Sequence, residues 1–314
     1  MGERGGLWPD IQLIERGWLS ANNIVLREGA HPQAPCAVVD SGYATHASQT
    51  VALVQAALDG APLRWLLNTH LHSDHCGGNA ALQAQWPDVQ TWVPPGLADH
   101  VRNWDPVALS HAPTGQQCPP FRLDGVLQPG TDFVFGARRW QVHPAPGHDP
   151  HSVILFEPEL RVLLSADALW ENGFGIVFGE LESPGDFDRV ASTLDHIESL
   201  APAWVIPGHG RAFGDAAGAL ARARSRLEGF ARDPARHARH AVKVLLKFKL
   251  LELRWVPRAQ FIDWALGAEI FRLAQARSQL ADSQDARRAW LDEVLSDLAR
   301  SGAAAFDGSD VVDA

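Results

Sequence analysis

Between Asn68 and Gly78 the chain reads Asn68-Thr-His70-Leu-His72-Ser-Asp74-His75-Cys-Gly77-Gly78. Three imidazoles and a carboxylate fall within six residues, a set that suits a borderline cation such as Zn²⁺, or Mn²⁺ or Fe²⁺. The two glycines let the backbone turn tightly beside these donors. Three more candidate ligands stand singly at the ends of apolar runs or in glycine turns: His148 in Pro146-Gly-His-Asp-Pro150, Asp167 in Leu164-Ser-Ala-Asp167, and His209 in Pro207-Gly-His-Gly210. Together, five histidines and two aspartates are enough for two cations that share one carboxylate and a water-derived oxygen. Cys76, beside His75, reads as a small buried hydrophobe. The remaining histidines, His31 among them, read as surface or internally satisfied groups, with His143 and His151 as pocket candidates because they flank His148.

Such donors need rigid elements to hold them. Asn23–Arg27, Cys36–Asp40, Arg64–Asn68, Val89–Val93, Ser152–Phe156, Arg161–Ser165 and Ala203–Pro207 have the length and β-branched content of strands. Helices are expected over His46–Leu58 and Gly78–Trp86, and after Ser183-Pro184, where serine would be the N-cap and Phe187, Val190, Leu194, Ile197 and Leu200 follow at helical spacing. This alternation predicts an α/β protein of layered sheets with outer helices. Beyond about Asp215 the strand signals stop. Ala216–Ala231, Pro234–Leu253, Arg258–Gln275 and Asp282–Arg300 read as helices broken at Asp233-Pro234 and Pro257, and Ser301–Ala314 as a frayed tail. The division expected is a catalytic domain over 1–214, a helical extension over 215–300 and a disordered tail over 301–314.

The string T-H-x-H-x-D-H-x-G-G, followed in order by G-H, S-A-D and P-G-H-G, resembles the metallo-β-lactamase fold superfamily over roughly Ile24–Phe213. Within it, the strand Ala37-Val-Val-Asp40-Ser-Gly and the later motifs are most similar to the glyoxalase II-like, thioester-hydrolysing branch. The resemblance implies an αββα sandwich with a C-terminal helical extension. It implies one metal on His70, His72 and His148, a second on Asp74, His75 and His209, and Asp167 as the bridge. Asp40 would support the site from behind the ligands. Hydroxide generated between two divalent cations, zinc by preference with iron or manganese as alternatives, would attack an ester or thioester carbonyl, with Asp74 orienting it or taking its proton. Trp170 and Phe174, just after Asp167, are candidates for the wall of the substrate pocket. The extension is similar in outline to that of small family members implicated in RNA cleavage. An endoribonuclease is therefore the main alternative, followed by a lactonase and a non-hydrolytic diiron redox protein.

The composition fits a folded hydrolase of this kind. The chain has 314 residues, 46% hydrophobic and 20% charged. No apolar run approaches the ~18 residues of a membrane span and the first residues lack an apolar signal segment, so the expectation is a soluble, cytoplasmic protein. Its three cysteines, Cys36, Cys76 and Cys118, show no C-x-x-C spacing and suggest a reducing compartment. A net charge of −10 works against nucleic acid as a partner, and the resemblance implies a small acyl substrate instead. The charge is uneven, however: Arg211–Arg258 holds 12 Lys and Arg against 4 Asp and Glu. Arg232, Arg236, Arg239, Lys243 and Lys247 form a stripe along one predicted helix, either a solvated face paired with acidic groups of the main domain or a clamp for an anionic substrate tail or RNA.

Overall fold

The computed structural model describes residues 8–29 and 34–314, so His31 lies outside the described residues. Two sheets face each other. The first contains β1 (Ile11–Ile14), β2 (Asn23–Arg27), β3 (Cys36–Val39), β4 (Leu63–Leu67), β5 (Gln90–Val93) and β6 (Gly125–Val126) in that spatial order, antiparallel from β1 to β3 and parallel from β3 to β6. The second runs β11 (Trp204–Pro207), β10 (Val162–Ala166), β9 (Val153–Glu157), β8 (Arg138–Pro144), β7 (Asp132–Phe135), with β10 and β11 parallel and the other pairs antiparallel.

Strand periodicity sorts the apolar side chains into layers. Leu26, Ala37, Val39 and Leu67 meet Trp140, Val142, Leu155, Leu164 and Ile206 between the sheets. Their neighbours Val25, Cys36, Val38 and Leu66 point outward against α1 (Ala47–Leu58) and α3 (Asn79–Gln85) through Val54, Leu58 and Leu82. Ile154, Phe156, Leu163 and Val205 cover the second sheet's outer face, against α6 (Asp186–Leu200) and α7 (Ala216–Arg232). Between these helices in the chain lie α2 (Ser73–Cys76), α4 (Ala98–Asn103) and α5 (Gly179–Glu182). The result is the αββα sandwich.

Beyond it, α8 (Pro234–Leu253), α9 (Arg258–Gly267), α10 (Glu269–Arg277) and α11 (Gln284–Arg300) enclose a separate core of Val242, Leu246, Phe261, Phe271, Leu291 and Leu295, joined to the sandwich through Ile176 and Leu181. None of the helices among the described residues is long and apolar enough to cross a membrane.

Four local expectations are corrected. Residues 301–314 are not a frayed tail: β13 (Ala304–Asp307) and β14 (Asp310–Asp313) form a hairpin that pairs with β12 (Trp255–Pro257), anchored by buried Ala304 and Val311. α7 shares the core of the second sheet and α6, because Ala219, Leu220, Ala223, Leu227 and Phe230 form its apolar stripe. The segment 258–275 is two helices, broken where Ala268 adopts an extended conformation. Ser183 does not cap α6; the Glu180 carboxylate accepts from the backbone N–H of Gly185 and Asp186, each at 3.0 Å, and is held in turn by Arg277.

His237, on the first turns of α8, is 1% exposed, lies between the rings of Phe187 and Phe230, and accepts the Val177 backbone N–H through Nε2 at 3.3 Å. Burial, then the charges of Arg226 and Arg277, push its pKa down to about 4. Below pH ~6.5 the unfolded chain takes up a proton that the folded chain refuses, so stability is full above that pH and falls as acid is added, levelling near pH 4. The shift corresponds to about 3 kcal/mol. Urea unfolding between pH 7 and 4 should show the difference between the native chain and His237→Gln shrink with acid; a difference independent of pH would contradict this.

Candidate metal centre

All seven predicted ligands lie at one edge of the sandwich, Asp74 and His75 in the short α2 and the others on loops. Those of the parallel strands leave from their C-terminal ends: Asp40 follows β3, His70–His75 follow β4, Asp167 follows β10 and His209 follows β11, while His148 sits in the β8–β9 loop. Buried amides hold the loops in place. Asn22 donates to the carbonyls of Pro207 (2.9 Å) and Gly210 (2.8 Å), which brackets His209. Asn68 donates to the His75 carbonyl at 3.1 Å and accepts from Asn79, which also accepts from Ser41. Gly77 and Gly78 have ordinary negative φ values, −63° and −87°, so no unusual turn requires them. They are small because the backbone at Ser41–Ala44 packs directly on them and leaves no room for a Cβ. Gly208 is small for a related reason, since a Cβ there would strike the Asp167 carboxylate.

The donors fall into two groups, His70, His72 and His148 in one, Asp74, His75, Asp167 and His209 in the other, with the ligand atoms of each within 4.8 Å of one another. Asp167 links the groups: its Oδ1 is 3.4 Å from His75 Nε2 and its Oδ2 is 3.4 Å from His148 Nε2. His72 Nδ1 lies 2.7 Å from His148 Nε2, and Asp74 Oδ2 lies 3.1 Å from His209 Nε2.

Partners behind the rings fix which nitrogen faces inward. His75 Nδ1 donates to Asp40 Oδ2 at 2.8 Å, and His148 Nδ1 donates to the Ile176 carbonyl at 2.6 Å, so Nε2 of each ring faces the centre. Thr69 Oγ1 lies 3.1 Å from His70 Nδ1 and donates to Asp40 Oδ2 at 2.8 Å. The Nε2 atoms of His70 and His75 are buried without a hydrogen-bond partner among the described residues.

The electrostatics differ between the two groups. Burial and then the neighbouring imidazoles of His75, His72 and His148 hold His70 well below the usual histidine range. Burial would keep His75 neutral too, but Asp167, Asp40 and Asp74 hold it well above that range. Burial pushes the Asp167 carboxyl up, yet His75, His209 and His148 hold it well below the carboxylate range. A protein interior rarely collects three carboxylates and orphaned imidazole nitrogens without a cation, and this donor set fits a pair of divalent ions.

The centre floors a cavity of about 580 Å³, the size of a small-molecule site. Its walls include Trp18, Trp170, Phe178 and, from α8, Val244, Phe248 and Leu251. Trp170 Nε1 donates to Asp167 Oδ1 at 3.2 Å. Phe174 contacts the cavity but is 2% exposed and packs chiefly in the core beneath α7. Neither His143 nor His151 is among the described residues lining the cavity; His143 is 3.0 Å from His196. Tyr43 donates its hydroxyl to Glu252 Oε2 at 2.9 Å.

Sequence reasoning did not find Trp18, which is 61% exposed, stacks on His209 at 5.3 Å and carries no motif. Phe178 closes the aromatic run that begins at Trp170 and lies 5.1 Å from His72. Asp149, buried with Oδ2 3.8 Å from His72 Nε2, was signalled by its place in the Pro-Gly-His-Asp-Pro turn. Three of the five stripe residues pair with the chain's own extension, Arg239 with Glu293 and Asp297, Lys243 with Asp297 and Lys247 with Asp313, and Lys243 and Lys247 also line the cavity.

A hydroxyacylglutathione hydrolase of Anaeromyxobacter dehalogenans is 35% identical over 187 residues, 59% of this chain and 61% of that protein, so the match spans less than two thirds of the relative's length. A beta-lactamase domain protein of Burkholderia ambifaria superposes with a TM-score of 0.59 at 22% identity, covering 88% of this chain and 90% of that one, and shares its fold. Another solved structure, described as a di-iron-bound form, has a TM-score of 0.50 at 26% identity over 67% of this chain and 96% of its own. The sequence model of the metallo-beta-lactamase superfamily matches residues 16–209. With that match spanning the whole donor set and every strand of the two sheets but the first, the chain belongs to the metallo-beta-lactamase superfamily.

Proposed function

We propose that this chain is a hydrolase that uses two divalent cations to cleave a thioester or ester of a small acyl substrate. The observation that carries the reading is the cavity whose floor includes donors of both groups, His72 and His148 of one and Asp74, Asp167 and His209 of the other, and whose walls are largely aromatic and aliphatic. His70, His72 and His148 would hold one cation, Asp74, His75 and His209 the other, and Asp167 both. Zinc suits the donors best, with iron or manganese as alternatives. When bound, the pair would supply an activated water at neutral pH and a Lewis acid for the carbonyl oxygen.

The chain's own residues do the rest. Asp74 Oδ2, at the cavity floor and 3.1 Å from His209 Nε2, is placed to orient the attacking water and accept its proton. The Trp170 indole N–H fixes the Asp167 carboxylate between the two groups. Trp18, Phe178, Val244, Phe248 and Leu251 would take the apolar part of the substrate and exclude water. The Anaeromyxobacter relative's activity supports a thioester; this chain matches only part of that protein, so the glutathione portion is not carried over. Pairing of Arg239, Lys243 and Lys247 within the extension leaves an RNA substrate with less free positive charge than the five-residue stripe promised.

Elemental analysis of the purified protein, together with turnover of an acyl-coenzyme A, an acyl-glutathione, an aryl ester, a lactone, a β-lactam and a short RNA, tests this. Bound divalent metal with thioester or ester turnover is expected. RNA cleavage without ester turnover would replace the reading with an endoribonuclease, and protein free of metal and of turnover would reject it.

A further inference from the structure

A third group of metal-type donors meets behind the ligand turn, outside the cavity lining. Cys76 ends α2 with no exposure, Cys118 is half-buried on the segment leading to β6, and His111 is 3% exposed in the turn after α4. One ligand atom from each lies within 4.8 Å of the others, and the two sulfur atoms are 3.6 Å apart. A disulfide needs about 2.05 Å. Two thiolates on one zinc ion at about 2.3 Å stand about 3.7 Å apart at the tetrahedral angle, close to the separation found.

His111 adds an independent observation. Its Nε2 lies 3.0 Å from the Leu71 carbonyl oxygen, and because a carbonyl only accepts, Nε2 carries the proton. That leaves Nδ1 as a bare acceptor, and it is buried with no hydrogen-bond partner among the described residues. The surrounding cluster is apolar, with Leu71, Val93, Ala98, Val101, Leu109 and Phe121 buried in it and the Trp104 ring 6.0 Å from the imidazole. An unpaired acceptor in an apolar cluster is costly, and a coordinated cation removes that cost.

We propose that Cys76, His111 and Cys118 form a third metal site, separate from the hydrolytic centre, that binds a soft or borderline cation, zinc in the first instance. The ligands are the two sulfurs and His111 Nδ1, with a water molecule in the fourth position on the half-exposed Cys118 side. Binding releases the two thiol protons to solvent, and no electron is transferred. The site would act as a brace. Cys76 ends the helical turn that carries Asp74 and His75, and His111 Nε2 donates to the Leu71 carbonyl between His70 and His72, so a cation here would tie that turn to the segment around His111.

The hydrolytic centre contains no sulfur ligand, which gives the two sites different signatures. In the full-length protein, prepared under reduction and exchanged with Co²⁺, a thiolate-to-cobalt charge-transfer band in the near ultraviolet is expected. Cys118→Ser and His111→Gln should each lose the band and about one metal equivalent of about three per chain, keep their hydrolytic activity, and unfold at a lower temperature than the native protein at the same zinc concentration. His72→Ala should keep the band, so failure of the hydrolase reading and failure of this one are distinguishable. Absence of the band in the reduced native protein, or a metal content unchanged in Cys118→Ser, would overturn the proposal.

Discussion

Replacing His72 with alanine is expected to lower kcat/KM by about three orders of magnitude, or ~4 kcal/mol, the scale of losing a Lewis acid from the transition state. His72 supplies one of three donors in its group, and its Nδ1 sits 2.7 Å from His148 Nε2, so the remaining pair would hold a cation weakly. The fold should survive. The ring is 14% exposed, meets the edge of Phe178, and follows β4 rather than lying within it. Metal content should fall with activity while near-ultraviolet circular dichroism stays native. Activity within tenfold of the native protein, with its metal intact, would remove His72 from the ligand set.

The site was legible in the sequence because its chemistry is local. His70, His72, Asp74 and His75 form one turn, and each later donor stands beside a glycine or at a strand end, where spacing and residue type both show. The strands that carry them were equally legible, since apolar runs such as Cys36–Val39 and Val153–Glu157 are buried on both faces. What stayed hidden depends on contacts between distant segments. Nothing in the sequence near Trp18 says that it will stack on His209, and nothing near Val244 or Phe248 says that α8 will roof the cavity.

The errors at the C-terminal end have a similar origin. Ser301–Ala314 is small and polar and looks like a tail, yet pairing with Trp255–Pro257 and burial of Ala304 and Val311 turn it into a hairpin. The cap expected from Ser183 was taken over by Glu180, a choice set by Arg277 nearly a hundred residues away. Local propensity loses wherever a distant partner satisfies the backbone better.

Asp40 is where the fold and the site share one side chain, and its replacement should separate the two roles. The residue lies just past β3 with φ of 58°, a left-handed conformation that aspartate and asparagine accept more readily than other side chains. Its Oδ1 accepts the Thr69 N–H at 2.9 Å, while Oδ2 accepts the Thr69 hydroxyl and His75 Nδ1–H, both at 2.8 Å. Alanine would leave those three buried donors without an acceptor, at about 1–3 kcal/mol each before relaxation, and add about 1 kcal/mol of backbone strain. A loss of about 4–5 kcal/mol is expected for Asp40→Ala, a large part of a typical domain's stability, and should appear as a lower denaturant midpoint.

Asparagine keeps the backbone conformation and one carbonyl acceptor, so Asp40→Asn should cost only about 1–2 kcal/mol. The new amide N–H₂ faces His75, however, and favours the tautomer with its proton on Nε2, the atom that points toward Asp167 and Asp74. A ring protonated there cannot donate a lone pair to a cation. Affinity at the second group should therefore fall about 10- to 100-fold, with kcat/KM falling in parallel, while the protein stays folded. Chelator competition followed by activity at saturating metal measures both. Native metal affinity in Asp40→Asn would mean that His75 is oriented without this carboxylate, and that Asp40 serves folding alone.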